Sequence, residues 1–257
     1  MKRSGHLIAS AAALLLMPLS VQSQTSVEIT TGNSTASGGF GTYNSLGVRL
    51  RHQRPADVWY VGVSHESAWG DDGWLGNIAN VHTFNPRWSS YLSATTSTDA
   101  FFLPRYRFDA ELSRRLGGPR AWVLTGSAMT RAARDEHHDI GGGIGVGRFL
   151  RRDLAADVSV FWTHTAPEDV VSRYQHLGLT WYRPQRELGA RVSFGEESYL
   201  PVTADSTLVA FNSYAVTVRW VERIDNAVAI SLHATYYENP RYRSRGFGAT
   251  VVRRIGR

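Results

Sequence analysis

Long segments in which apolar and polar residues alternate strictly leave this chain few folds to choose from. Successive side chains of an extended strand point to opposite faces, so alternation marks a strand with one apolar and one polar side. Ala156, Val158, Val160 and Trp162 alternate with Asp157, Ser159, Phe161 and Thr163. In residues 104–116, Tyr106, Phe108, Ala110 and Leu112 share one face, opposite Arg105, Arg107, Asp109, Glu111 and Ser113. Residues 185–195 set Leu188, Ala190, Val192 and Phe194 against Glu187, Gly189, Arg191 and Ser193, and residues 208–222 set Tyr214, Val216, Val218 and Trp220 against Ser213, Ala215, Thr217 and Arg219. Almost no segment carries a helical period.

A soluble β-sandwich alternates too, so length and turns decide the solvent. The segments run roughly 9 to 14 residues, longer than the usual globular strand and suited to crossing a bilayer at a tilt. Their connections fall into two kinds. One set is tight and basic, as in RPAD (54–57), GGPR (117–120) and RPQR (183–186). The other is more acidic and often longer, as in GNSTASGGFG (32–41), STDAFFLP (97–104), RDEHH (134–138) and EESYLPVTADST (196–207). Short turns at one end and longer loops at the other are the pattern of a transmembrane barrel. Trp59, Trp88, Trp122, Trp181 and Trp220 lie toward the basic-turn ends and Trp69, Trp74 and Trp162 toward the acidic-loop ends, which predicts two interfacial girdles.

The prediction is therefore an all-β, antiparallel up-and-down transmembrane barrel of about fourteen strands, with twelve the alternative. They fall near 26–34, 42–53, 58–69, 74–84, 87–97, 104–116, 120–132, 138–150, 154–165, 171–183, 185–195, 208–222, 226–237 and 241–254, the first and the fourth being the least marked. An even count places both termini on the periplasmic side of a Gram-negative outer membrane. Residues 1–23 have the form of a secretory signal peptide, with Lys2 and Arg3 ahead of the apolar run Leu7–Val21 and a small residue at Ser23, which leaves residues 24–257 as the barrel domain. Cysteine is absent, so no disulfide supports the exported chain. Beyond Lys2 every basic side chain of the net +6 is arginine.

The glycine-rich run HHDIGGGIGVGRF (137–149) invites a phosphate-loop reading and fails it. A dinucleotide fingerprint would need glycine where Val146 or Arg148 stands, and a P-loop would need Lys and Ser/Thr where Arg148 and Phe149 stand. Placed on a strand, Ile140, Gly142, Ile144 and Val146 face lipid while Gly141, Gly143, Gly145 and Gly147 face the lumen, leaving room for Phe161, an arginine, an inward loop or a solute.

Three segments carry a family likeness: FLPRYRFDAELSRRL (102–116), TWYRPQRELGARVSFGEES (180–198) and YRSRGFGATVVRR (242–254). Their Pro-Arg-aromatic strand, Gly-Glu pair after an apolar strand and Tyr-x-x-Arg-Gly closing strand resemble the YaiO family of outer-membrane β-barrel proteins, over residues 40 to 254. The resemblance implies an outer-membrane barrel and little about activity. Many such barrels end in an aromatic residue read by the barrel assembly machinery, whereas this chain ends Ile255-Gly256-Arg257.

Function is sought first on the inward faces. Alternation points Arg49, Arg51, Glu66, Arg105, Arg107, Asp109, Glu111, Glu187, Arg191 and Arg219 into the lumen. Rings of arginine would favour anions, whereas pairing with carboxylates on neighbouring strands would only line the barrel. Arg105, Arg107 and Arg191, with Asp109 and Glu111, and with Gly143 and Gly145 beside open space, form the candidate solute site. A second cluster, Glu136, His137, His138, Asp139, His164 and His176, is placed at the loop rim. No nucleophile motif accompanies it, so no catalytic residue, metal or cofactor is assigned. The expected function is a small channel or solute-transport barrel. A non-conducting barrel that assists envelope structure or polysaccharide export is one alternative, and a rim hydrolase another. The expected partners are the assembly machinery, outer-membrane lipids and lipopolysaccharide. No exposed basic stripe with interleaved aromatics suits nucleic acid.

Overall fold

A computed structural model of the chain describes residues 23–118, 121–199 and 209–255. The signal segment 1–23 lies almost wholly outside them, as do the tip of the loop within 196–207 and the last two residues. Fourteen strands follow in order: β1 (Gln24–Ala36), β2 (Thr42–Gln53), β3 (Asp57–Ala68), β4 (Asp71–Asn85), β5 (Trp88–Ser97), β6 (Tyr106–Leu116), β7 (Trp122–Ala132), β8 (His138–Arg151), β9 (Leu154–Ala166), β10 (Val170–Tyr182), β11 (Arg186–Tyr199), β12 (Val209–Arg223), β13 (Val228–Glu238) and β14 (Arg243–Ile255). Each pairs antiparallel with its sequence neighbours, and β1 pairs with β14 from Thr25↔Ile255 to Ala36↔Ser244, so the sheet closes on itself. Fourteen strands are found and not twelve, and both weakly marked segments are full strands, β1 and β4.

The outer surface is apolar. Ile29, Leu46, Val61, Leu92, Ile140, Ile144, Leu177 and Phe247 all face outward, Ile144 at 63% and Phe247 at 66% exposure. So broad an apolar exterior belongs in hydrocarbon. Inside, the faces are polar and mostly small: Ser26, Ser93, Ser113, Ser172, Ser193, Ser213 and Ser244 are buried there.

Register tilts the strands against the barrel axis. Partners followed sideways from Glu28 run through Arg49, Gly62, Asn77, Thr95, Arg107, Arg131 and Asp139 to Thr165. That row starts in the first half of β1 and climbs to the loop end of β9, the stagger that closure requires. A second row runs from Val58 through Val81, Tyr91, Glu111, Ser127, Gly143 and Phe161 to Tyr174. It answers what fills the space beside the glycines. A Cβ on Gly143 would stand 2.8 Å from Cε1 of Phe161 and 2.8 Å from the Val160 carbonyl oxygen, so the Phe161 ring lies over this glycine.

The loop between β5 and β6 turns into the mouth. Ala100, Phe102 and Leu103 are buried with Ala68 and pack against Tyr43, Trp69 and Leu75, all near the loop ends of β2, β3 and β4. Trp69 meets Phe101 at 6.0 Å and Phe102 at 5.7 Å between ring centroids, so it belongs to this mouth cluster and not to the outer girdle predicted for it. Gly73 makes the close approach possible, since a Cβ there would fall 2.8 Å from Cβ of Ala100.

Gly143→Ala is expected to lower stability by about 1–3 kcal/mol, the range for overpacking a filled site. Gly145→Ala, whose Cβ would come no nearer to any atom than 3.3 Å, to Cβ of Ser159, is expected to cost less. Urea unfolding of both variants in detergent micelles, followed by tryptophan fluorescence, checks the order.

Candidate functional site

The inner wall is built from β-strand faces, so parity decides which side chains reach it. Arg107, Asp109 and Glu111 stand on β6 at alternate inward positions, with Arg191 inward on β11. Arg105 does not join them. It precedes β6, donates its backbone N–H to the Ala132 carbonyl at 2.9 Å, and is exposed at the rim. Arg191 also stands apart, because five sheet steps separate β6 from β11. The predicted solute site is therefore two places on the wall and a rim position.

Arg49, Arg107, Arg191 and Arg219 in the lumen each meet a carboxylate. Arg107 grips Asp109 two residues on, its Nε donating to Oδ1 at 3.0 Å and Oδ2 at 2.9 Å and its Nη2 to Oδ1 at 2.6 Å, while the Ser93 hydroxyl donates to Oδ2 at 3.1 Å. Arg49 Nε donates to Glu28 at 2.8 Å, and its guanidinium lies 5.0 Å from the Tyr60 ring centroid. Arg219 pairs with Glu187. Arg51 donates to Gln53. Arg191 reaches Asp157 at 3.5 Å across Gly178, and a Cβ at Gly178 would sit 2.2 Å from the Asp157 carboxylate. The glycine is the gap through which this bridge is made.

Arg131 is a member that the sequence reading missed. It lies opposite Arg107 in register, a like-charge contact that would be unfavourable alone. Asp139 opposes it on the other side and forms an ion pair with it, and the Thr165 hydroxyl donates to Asp139 at 2.8 Å. Asp139 was grouped with the rim histidines, but it faces inward and completes this row. Symmetry about the 132–138 hairpin, with both residues on the inward parity, was the available signal. Glu111 is buried with the Ser113 hydroxyl donating to it at 3.1 Å.

The histidine cluster disperses. His138 and His164 are exposed on the outer face, His164 against Asp169. His176 is buried well inside β10, its Nδ1 2.8 Å from the Ser193 hydroxyl, so it is a lumen residue and not a rim one. His137 keeps two acidic neighbours at the rim, with Nε2 2.8 Å from Glu168 and Nδ1 2.9 Å from Asp135. Among the described residues no group of three or more His, Asp or Glu is placed to hold a metal ion.

Arg134 pins the inward loop. Its Nη1 donates to Asp99 at 2.9 Å, and its Nη2 donates to the Thr98 carbonyl at 2.7 Å and the Ser97 hydroxyl at 3.0 Å. From the other side, Asp71 accepts the Phe101 backbone N–H at 2.9 Å. A second set of contacts crowds the mouth near β13 and β14, where Glu197 accepts from Tyr237 at 2.9 Å and Ser213 at 2.8 Å, and buried Tyr242 packs on Phe40 and Tyr237.

The model of the YaiO membrane beta barrel domain matches residues 24–200. Among curated proteins none matches the sequence. Solved structures share the fold at very low identity. The CymD monoaromatic hydrocarbon channel superposes with a TM-score of 0.60 at 8% identity, covering 96% of this chain and 93% of its own. OccK7 (OpdD) of Pseudomonas aeruginosa reaches 0.53 at 7% identity, over 91% of this chain and 98% of its own. OprB of Pseudomonas putida reaches 0.52 at 7% identity, over 90% and 94%.

Two outcomes test the geometry. Asp139→Asn leaves the half-buried Arg131 without its counter-charge and is expected to cost about 1–3 kcal/mol in urea unfolding, with Arg131→Met plus Asp139→Leu recovering most of it. At the rim, burial lowers the His137 pKa, but hydrogen bonds to Glu168 and Asp135 outweigh it and hold the pKa above the ordinary value. The clamp is thus complete below the ordinary histidine pKa and is lost as pH rises through the raised one. Glu168→Gln is expected to lower the His137 titration midpoint in NMR of the ring protons.

Proposed function

The chain belongs to the YaiO family of membrane β-barrels, and from that premise we propose that it is an outer-membrane channel for small polar solutes, with both termini periplasmic. The observation that supports a channel is the size of the inward side chains. Side chains just fill a barrel of about eight strands, whereas wider barrels need bulky ones or leave an aqueous passage. This barrel has fourteen strands, and serine, threonine and glycine occupy much of its inner wall, with Ser127, Gly143 and Ser159 at mid-height. The similar barrels include a monoaromatic hydrocarbon channel, but this chain's own lumen, lined by hydroxyls and ion pairs, suits water-soluble cargo.

Charge pairing bears on selectivity. Arg49, Arg107, Arg131, Arg191 and Arg219 each sit against a carboxylate, so their fields largely cancel and an anion gains little from them. In this reading the passage is weakly charge-selective, the barrel is not an enzyme, and its narrowest level is the loop cluster of Phe102 and Leu103. That cluster also favours a second reading, a barrel closed at its loop end that serves the envelope structurally.

Planar-bilayer recording separates the two. Protein shown to be folded by its heat-shifted electrophoretic mobility is expected to give unit conductance steps with a reversal potential close to zero in a KCl gradient. Phe102→Ser with Leu103→Ser and Arg134→Ala is expected to raise the unit conductance. Folded protein without steps, in both forms, rejects the channel.

A further inference from the structure

Three arginines on the outer surface are partnered differently from the ion-paired ones in the lumen. At the short-turn end, the guanidinium of Arg114 lies 5.2 Å from the ring centroid of Trp88, that of Arg148 4.6 Å from Trp122, and that of Arg183 4.8 Å from Trp181. Arg114 and Trp88 are register partners across β5 and β6, and Arg148 and Trp122 across β7 and β8. All three arginines are exposed, Arg114 and Arg148 on outward strand positions and Arg183 in the turn after β10. Leu112, Leu124 and Leu179 stand one outward step nearer the middle of the barrel, so the pairs lie at the edge of the apolar band.

Among the described residues, none of these three guanidinium groups has a carboxylate within ion-pair distance. The acids nearby are engaged elsewhere. Asp153 accepts from Trp181 Nε1 at 3.2 Å and lies 3.5 Å from Arg151 Nε, and Glu222 is held by Arg186 at 2.8 Å. Stacking on an indole holds a guanidinium flat against the wall but leaves its N–H edge unsatisfied. A cation held at this depth, at the boundary of hydrocarbon, calls for an anion that comes from the boundary itself. Planar guanidinium groups match phosphate in charge and geometry.

We propose that the Arg114–Trp88, Arg148–Trp122 and Arg183–Trp181 pairs form a lipid-binding belt that holds the phosphates of anionic glycerophospholipids in the leaflet at the short-turn end. Each indole packs on the upper acyl chain and glycerol while its arginine donates to the phosphate. A zwitterionic lipid presents the same phosphate with a neighbouring ammonium group, so it binds less tightly. The belt is independent of whether the lumen conducts.

Native mass spectrometry of the full barrel in mild detergent tests it, with 1-palmitoyl-2-oleoyl phosphatidylglycerol and the matching phosphatidylcholine as probes. The wild type is expected to retain more phosphatidylglycerol. Arg114→Gln, Arg148→Gln and Arg183→Gln are each expected to reduce that retention about fivefold, and the three together on the order of 100-fold, by the usual contribution of one basic residue at an anionic surface. Arg186→Gln, whose partner is Glu222, is expected to leave it unchanged. Heat-shifted mobility certifies that each variant is folded, and the single substitutions stand if the triple variant does not fold. Equal retention of the two lipids, unchanged retention in the single variants, or adducts with inorganic phosphate only would each overturn the belt.

Discussion

In hydrocarbon no water is present to satisfy a free N–H or carbonyl group, and each one left bare costs several kcal/mol. The pairing of β1 with β14 removes the two edges that a fourteen-strand sheet would otherwise expose. Everything else in the molecule follows from that closure. Once the sheet is a cylinder, alternate side chains must face either lipid or lumen, and the tilt of the strands sets which inward residues share a level. The row from Glu28 to Thr165 is a product of that tilt, since its members lie far apart in sequence and on eight further strands in turn.

Glycine acts inside this cylinder as a recess for a neighbour. Phe161 lies over Gly143, the Asp157 carboxylate crosses Gly178, and the His233 ring occupies the space a Cβ on Gly248 would take, 2.3 Å from its Cε1. In each case a bulky or charged group is laid along the wall and does not project across the lumen. The run from Gly141 to Gly147 is thus a feature of wall packing, where its spacing had first suggested a nucleotide loop. Outward, the same strands show the opposite arrangement, with arginines stacked on tryptophans.

The faces were legible because a period of two assigns each residue of a strand to one side. Arg107, Asp109, Glu111 and Arg191 are where alternation placed them. Arg105 shares their parity but falls beyond the strand, whose first residue is Tyr106. His176 could have been placed by the same rule, since it shares a face with Ser172 and Tyr174, and counting inward from Val170 puts it below the rim. The inward turn of residues 98–105 had a hint in Phe101, Phe102 and Leu103, too apolar for a solvated loop.

Alone, the sequence determined the class of fold, the solvent on each face and the two unlike ends, because all three are written in local periodicity and turn chemistry. The tertiary structure decided the more distant pairs: Arg191 with Asp157 through Gly178, and Arg134 with the loop that enters the mouth. Those depend on register around a closed and tilted cylinder. Residues that meet there stand up to dozens of positions apart, and no local pattern records the meeting.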